Sequence, residues 1–264
     1  MLPVYEAIDI VQVISKQSGH TQPWVVVANT PKGLQSFVVK LYTTAQIQQY
    51  NSVTSEVICN VLASEFDLNV PQAAFIDIPE ALLFNKSLEW QELYGKADIR
   101  LKFATAQLSD ISSAIPGLPK GYYNKRISLD TLYAFDNLIL NGDRGQQKTN
   151  LLVGKKAWLI DHELALQTAD ISNTDWANFE IAEKFSTYHL FYTYLKRSIK
   201  SKKKHYFDEF LEYVHTLNIN KLNSYYQQLS KEGYSVDRNI INNWLQQVKQ
   251  NSIIFVKSLK ESIE

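Results

Sequence analysis

The chain has 264 residues and a mass of 30.3 kDa, enough for one large domain or two lobes sharing a cleft, with a core that needs no metal or disulfide. Its 45% hydrophobic and 20% charged content, with nine Gly and seven Pro, excludes disordered and collagen-like chains. Twenty-seven Lys and Arg balance 27 Asp and Glu, so no whole-molecule field steers the chain toward nucleic acid or an acidic membrane.

The first third reads as sheet. Trp24 to Val27 and Phe37 to Leu41 are β-branched or aromatic runs, and Asn29 to Gly33 between them suits a hairpin connection. Val53, Val57, Ile58, Val61, Leu62 and Phe66 recur at helical spacing, and the pattern stops before Pro71. Ala73 to Ile78 predicts a further strand, Pro79 to Tyr94 a short helix, and Arg100 to Leu108 a return to partial alternation. From about Ser109 the character changes. Ile115 to Gly121 is a Pro/Gly-rich connection, followed by an apolar helix over Ser128 to Leu140. Leu151 to Val153 and Ala157 to Ile160 flank Gly154-Lys155-Lys156 as a small hairpin, with Asp161 at its end. Residues 176–264 alternate aromatic and polar positions at helical periods and predict a bundle.

Three ionisable positions would be expensive to bury unless they serve chemistry. They are Lys40 within a strand, Asp143 after an apolar helix, and Asp161 at a strand end. Phosphoryl transfer needs a cation on the nucleotide phosphates, oxygen ligands for a metal, and a carboxylate to orient the attacking hydroxyl. Lys40, with Glu56 on the next helix as counterion, suits the first need, and Asn150 and Asp161 suit the second. Asp143 suits the third. Each part has a plainer reading when taken alone: a snorkelling lysine with a solvated glutamate, and ordinary turn chemistry in Asn141-Gly142-Asp143. Ser15 to Thr21, ahead of the first clear strand, offers backbone N–H groups and hydroxyls to phosphate, but matches no dinucleotide or Walker pattern.

Together these residues are similar to the small, free-standing HipA-like kinases, related to the phosphatidylinositol 3-/4-kinase-like branch of the protein-kinase fold. The resemblance covers roughly residues 5–166. Phe135 to Arg144, then Asn150-Leu151-Leu152 and Trp158-Leu159-Ile160-Asp161-His162, carry it most specifically. Ser18 to Thr21, Val38-Val39-Lys40, Ser55-Glu56-Val57 and Leu68 to Pro71 match more loosely. It implies an α+β, two-lobed protein-kinase-like fold, with a nucleotide-binding lobe over 1–108 and a catalytic, helical lobe over 109–264. It also implies ATP and Mg²⁺, with Asp143 as catalytic aspartate, Asn150 and Asp161 on the metal, and Lys40 with Glu56 at the phosphates. By the same resemblance, Ser18, Gly19, His20 and Thr21 cover the phosphates, and Ala106, Gln107 and Leu108 lie against adenine. The expected acceptor is Ser or Thr of a protein; a lipid or small-molecule acceptor and a nucleotide-binding pseudokinase scaffold are the alternatives. Some relatives are toxin kinases paired with DNA-binding antitoxins, which implies an antitoxin-like partner. Some autophosphorylate on a phosphate-loop serine, here Ser18 or Ser15.

Two positions depart from the family pattern. The Asp143-to-Asn150 loop is long and carries Lys148, which competes for the ligand role, and Glu163 stands where many relatives carry glycine. The five histidines show no zinc spacing; His162 is expected to position Asp161 by hydrogen bonding. Lys196 to His205 is a basic run in a segment, 176–264, with 13 Lys/Arg against 9 Asp/Glu, and reads as a solvated connection between helices, with docking of an acidic protein, nucleic acid or lipid headgroup as the alternative. Tyr225, Tyr226 and Trp244 fall at core-face intervals. The lone Cys59 fits a reducing compartment, and Glu6 and Asp9 stand where a signal peptide needs positive charge. The expectation is a cytoplasmic chain with no membrane span.

Overall fold

A computed structural model of the chain describes residues 1–14, 22–167, 171, 174–199 and 205–264. The fold is mixed α+β. Five strands, β1 (Val4–Val13), β2 (Trp24–Thr30), β3 (Gly33–Val39), β4 (Ala73–Asp77) and β5 (Lys102–Ala106), close a barrel in the order β1-β2-β3-β5-β4. Closure depends on β1, which runs parallel to β4 from Val4 opposite Phe75 to Glu6 opposite Asp77. Sequence alternation does not reveal β1, because register shifts between Ala7 and Asp9 and between Ile10 and Gln12 break its period of two.

Trp24, Val26, Ala28, Phe37, Val39, Ala74, Ile76 and Ala104 fill the barrel interior. The alternate positions Ala73, Phe75 and Phe103 point outward yet are also buried, within the core of the remainder of the molecule. The element that covers them is α2 (Ser52–Glu65), buried at nearly every position because the barrel lies on one side and the later helices on the other. Phe66, just beyond it, packs on Phe135 and Phe210. Ahead of α2 lies α1 (Thr44–Tyr50), opened by a capping box between Thr43 and Gln46. The single helix expected over Pro79 to Tyr94 is instead a 3₁₀ turn, Glu80–Leu83, and α3 (Leu88–Lys96), with Ser87 capping the second piece.

Beyond the barrel, β6 (Ser112–Ser113), β7 (Leu151–Val153) and β8 (Ala157–Leu159) form a small sheet. In the chain, α4 (Lys120–Asn124) and α5 (Leu129–Leu138) lie between β6 and β7. The remaining α-helices among the described residues are α6 (Glu183–Ser186), α7 (Tyr192–Ile199), α8 (Asp208–Thr216), α9 (Asn223–Lys231), α10 (Arg238–Gln250) and α11 (Ser252–Ser262). Tyr226 and Trp244 are buried in this core and Tyr225 packs against it, so they form no exposed stacking platform. No helix among the described residues is long and apolar enough to cross a membrane.

Candidate active site

The barrel and the segment α5–β7–β8 meet at a cleft of about 750 Å³. Lys40 does not lie within β3, which ends at Val39; it is the next residue, its backbone N–H donating to the Phe103 carbonyl at 3.1 Å. This bond keeps the chain against β5 after the strand ends, and the side chain enters the cleft. There its ammonium pairs with Glu56 and, at 2.5 Å, with Asp161 Oδ1, a residue 121 positions away. Glu163 Oε2 lies 4.0 Å from the same ammonium. Burial disfavours the charge on Lys40, but Asp161, Glu56 and Glu163 more than offset it and hold its pKa well above the usual lysine range. Burial raises the Asp161 pKa and the Lys40 and Lys148 charges lower it, leaving about 2. At Glu163 burial wins, and its pKa is raised.

Asp143 sits on the loop after α5, its backbone N–H tied to Asn141 Oδ1 at 3.1 Å. Asn150 Nδ2 donates to Asp143 Oδ2 at 2.9 Å, which leaves the amide oxygen of Asn150 as its donor atom for a cation. Lys148 bridges the two aspartates, 2.6 Å from Asp143 Oδ2 and 3.5 Å from Asp161 Oδ2. Lys40, Glu56, Asp143, Asn150 and Asp161 are thus brought into one connected cluster. Ala106, Gln107 and Leu108 line the same cleft, and the first two are pinned by backbone bonds of 2.8 Å to Gln72 and Ser36. Ser15, Ser18, Gly19, His20 and Thr21 lie outside the described residues, as do Lys200 to Lys204 of the basic run.

The local backbone is unusual. Leu140, Asn150 and Asp161 adopt left-handed conformations with φ of 55°, 45° and 63°. Asn and Asp tolerate that region better than other side chains, whereas leucine there costs about 1–2 kcal/mol. Gly142 and Gly145 allow the loop to lie against the segment near α6: a Cβ at Gly145 would stand 3.2 Å from the Tyr188 carbonyl.

The donor chemistry fits a hard divalent cation. Among the described residues, four carboxylates, Glu56, Asp143, Asp161 and Glu163, face two ammonium groups, and the facing atoms are oxygens. Glu56, Asp161 and Glu163 each present an oxygen within 4.8 Å of the others, and Glu163 Oε2 is buried without a hydrogen-bond partner among the described residues.

Other participants have no role, or a different one, in the sequence reading. The Tyr42 hydroxyl donates to Glu56 Oε1 at 3.1 Å. The ring of His162 pairs with Arg144 at 3.2 Å, and its backbone N–H donates to Glu56 Oε2, also at 3.2 Å; this arrangement replaces the expected bond to Asp161. Asp136 and His189, 53 positions apart, meet at 3.0 Å behind the loop. Only the carboxylate has a local sequence signal, as a charge inside an apolar helix.

The HipA-like kinase family pattern matches residues 9–254, and the chain belongs to that family of kinases. Among solved structures, the Helicobacter pylori proinflammatory kinase CtkA aligns with a TM-score of 0.48 and 13% identity, over 97% of this chain and 98% of that one. No curated protein sequence matches the chain.

Proposed function

We propose that the chain binds ATP with Mg²⁺ in the cleft and transfers the γ-phosphoryl group to a hydroxyl, with Ser or Thr of a protein as acceptor. The observation that carries the proposal is the convergence of Lys40, Glu56 and Asp161 from distant parts of the chain, beside Asp143 and Asn150. In this reading 1–108 and 109–264 act as two lobes, and the segment Ala106 to Leu108 lies against adenine.

Glu56 keeps the Lys40 ammonium charged and directed into the cleft, where it orients phosphate oxygens. Asn150 and Asp161 would hold Mg²⁺, which when bound neutralises charge on the phosphate oxygens. Asp143 aligns the acceptor hydroxyl and takes its proton as the new O–P bond forms and the bond to the ADP oxygen breaks. Lys148 holds the Asp143 carboxylate at the mouth of this arrangement. The protein acceptor, the antitoxin-like partner and the cytoplasmic setting are proposed from the family rather than from the site.

The test is ATP turnover with Mg²⁺ and a panel of Ser/Thr acceptors, the wild type against Asp143→Ala. A fall of about 10²- to 10⁴-fold is expected, with phosphoserine or phosphothreonine found in the acceptor by mass spectrometry. Equal turnover by both chains would remove Asp143 from the chemistry. A second reading, a nucleotide-binding scaffold, is favoured by the extra buried carboxylate of Glu163, whose Oε2 has no hydrogen-bond partner among the described residues. It predicts nucleotide binding with no turnover in either chain.

A further inference from the structure

Behind the cleft lies a polar cluster that the transfer chemistry does not use. The side chains of Asp136 and Arg144 are both 0% exposed. Both carboxylate oxygens of Asp136 are engaged: Oδ1 accepts from Asn141 Nδ2 at 2.9 Å, and Oδ2 accepts from Arg144 Nε at 2.7 Å and His189 Nε2 at 3.0 Å. His189 Nδ1 accepts from the Phe191 N–H at 3.1 Å, so its proton is on Nε2, toward the carboxylate. Arg144 is therefore clamped at its root.

The other two nitrogens of its fork point toward the cleft. Nη1 donates to the Asn150 carbonyl, and Nη2 donates to His162 Nε2 at 3.2 Å. A guanidinium has no acceptor, so the proton of His162 is on Nδ1, 3.8 Å from Glu56 Oε2. We infer that Arg144 is the positioning residue that couples the two proposed cation ligands, fixing Asn150 by its carbonyl and Asp161 through the neighbouring His162. The inference rests on the cation-dependent transfer proposed above. The backbone shows where these bonds act: Asn150 and Asp161 are both left-handed, at φ 45° and 63°, a region Asn and Asp tolerate, and Arg144 bonds the carbonyl of the first and the ring next to the second. Lysine offers one point charge and cannot span three directions.

The test uses the full chain with Mn²⁺ and a non-hydrolysable ATP analogue, reading bound Mn²⁺ by its paramagnetic resonance signal, with thermal unfolding measured in parallel. Arg144→Lys is expected to weaken Mn²⁺ binding by about 10- to 100-fold, the range seen when groups that orient metal ligands are removed. Nucleotide binding without metal should be unchanged. His162→Gln, which retains an acceptor for Nη2, should preserve the Mn²⁺ affinity that His162→Leu loses. If Arg144→Lys does not fold, this Gln-against-Leu contrast decides alone. A lower melting temperature with wild-type Mn²⁺ affinity in the folded variants overturns the inference and leaves Arg144 a structural residue. A wild-type chain that binds neither Mn²⁺ nor nucleotide overturns the site reading, and this inference with it.

Discussion

The barrel and the segment from Asp136 to Glu163 face one cleft, yet they are held together in opposite ways. In the barrel, Trp24, Val26, Phe37, Val39, Ala74, Ile76 and Ala104 are almost wholly buried, and β2 and β3 pair without a slip from Trp24 opposite Val39 to Thr30 opposite Gly33. In the segment, a buried Asp136–Arg144 pair and three left-handed residues stand where apolar side chains and ordinary backbone would be more stable. Burial raises the Asp136 pKa, but Arg144 and His189 more than offset it and leave about 2, so the carboxylate stays ionised inside the protein. Apolar packing is non-directional and holds a shape; hydrogen bonds to charged groups are directional and hold an angle. The part proposed to place oxygen atoms around a phosphate is built from the second kind of contact.

This contrast breaks if substitutions in the two regions act alike. The largest expected effects separate them. Phe37→Ala, deep in the barrel, should cost about 3–5 kcal/mol of stability in denaturant unfolding, while transfer by the remaining folded fraction keeps its rate. Asp161→Asn should do the reverse. Phosphoryl transfer in a steady-state assay is expected to fall by about 10²- to 10³-fold, and the melting temperature should change little because Glu56 still pairs with Lys40.

An intermediate effect is expected at Asp98, where Arg100 donates through Nε at 2.7 Å and Nη2 at 2.8 Å. The hydrogen bonds from Arg100 hold the Asp98 pKa down, against burial, to about 2. A depressed folded-state value means that the contribution is complete above the ordinary carboxylate pKa and is lost as the pH falls toward 2. Asp98→Asn should therefore cost about 2 kcal/mol near neutrality. Its unfolding curve should converge with that of the wild type at the acid end. The smallest effect is expected for Lys221→Ala, which removes the exposed pair with Glu65 at 2.8 Å and should change stability by less than about 0.5 kcal/mol. A larger change would mean that surface charge, not the buried network, carries the electrostatic stability.

Much of this architecture is legible in sequence where one physical signal dominates. α2 and α5 announce themselves by apolar spacing, and the β7–β8 turn by Gly154-Lys155-Lys156. α1 escapes sequence reading although Thr43 and Gln46 form a capping box, because Ile47 is its only buried residue and leaves almost no apolar stripe. The strand expected to contain Lys40 ends one residue before it, because β-branched composition does not mark where a ladder stops. The role proposed for Arg144 is not legible from spacing, although the residue lies in the family motif: its partners Asp136, Asn150 and His162 come from a helix, the residue before β7 and the loop after β8.

Local chemistry along the chain was enough to name the groups that could serve phosphoryl transfer, since a lysine or aspartate is costly to bury anywhere without purpose. The sequence also set the alternation that builds the barrel wall and the apolar faces that cover it. Only the folded chain decided that β1 closes the barrel, that α2 is buried on both sides, and that His162 turns to Arg144 instead of Asp161. Those outcomes depend on distances between residues far apart in order. Such distances are fixed by packing the whole chain at once and are not encoded in any one stretch of it.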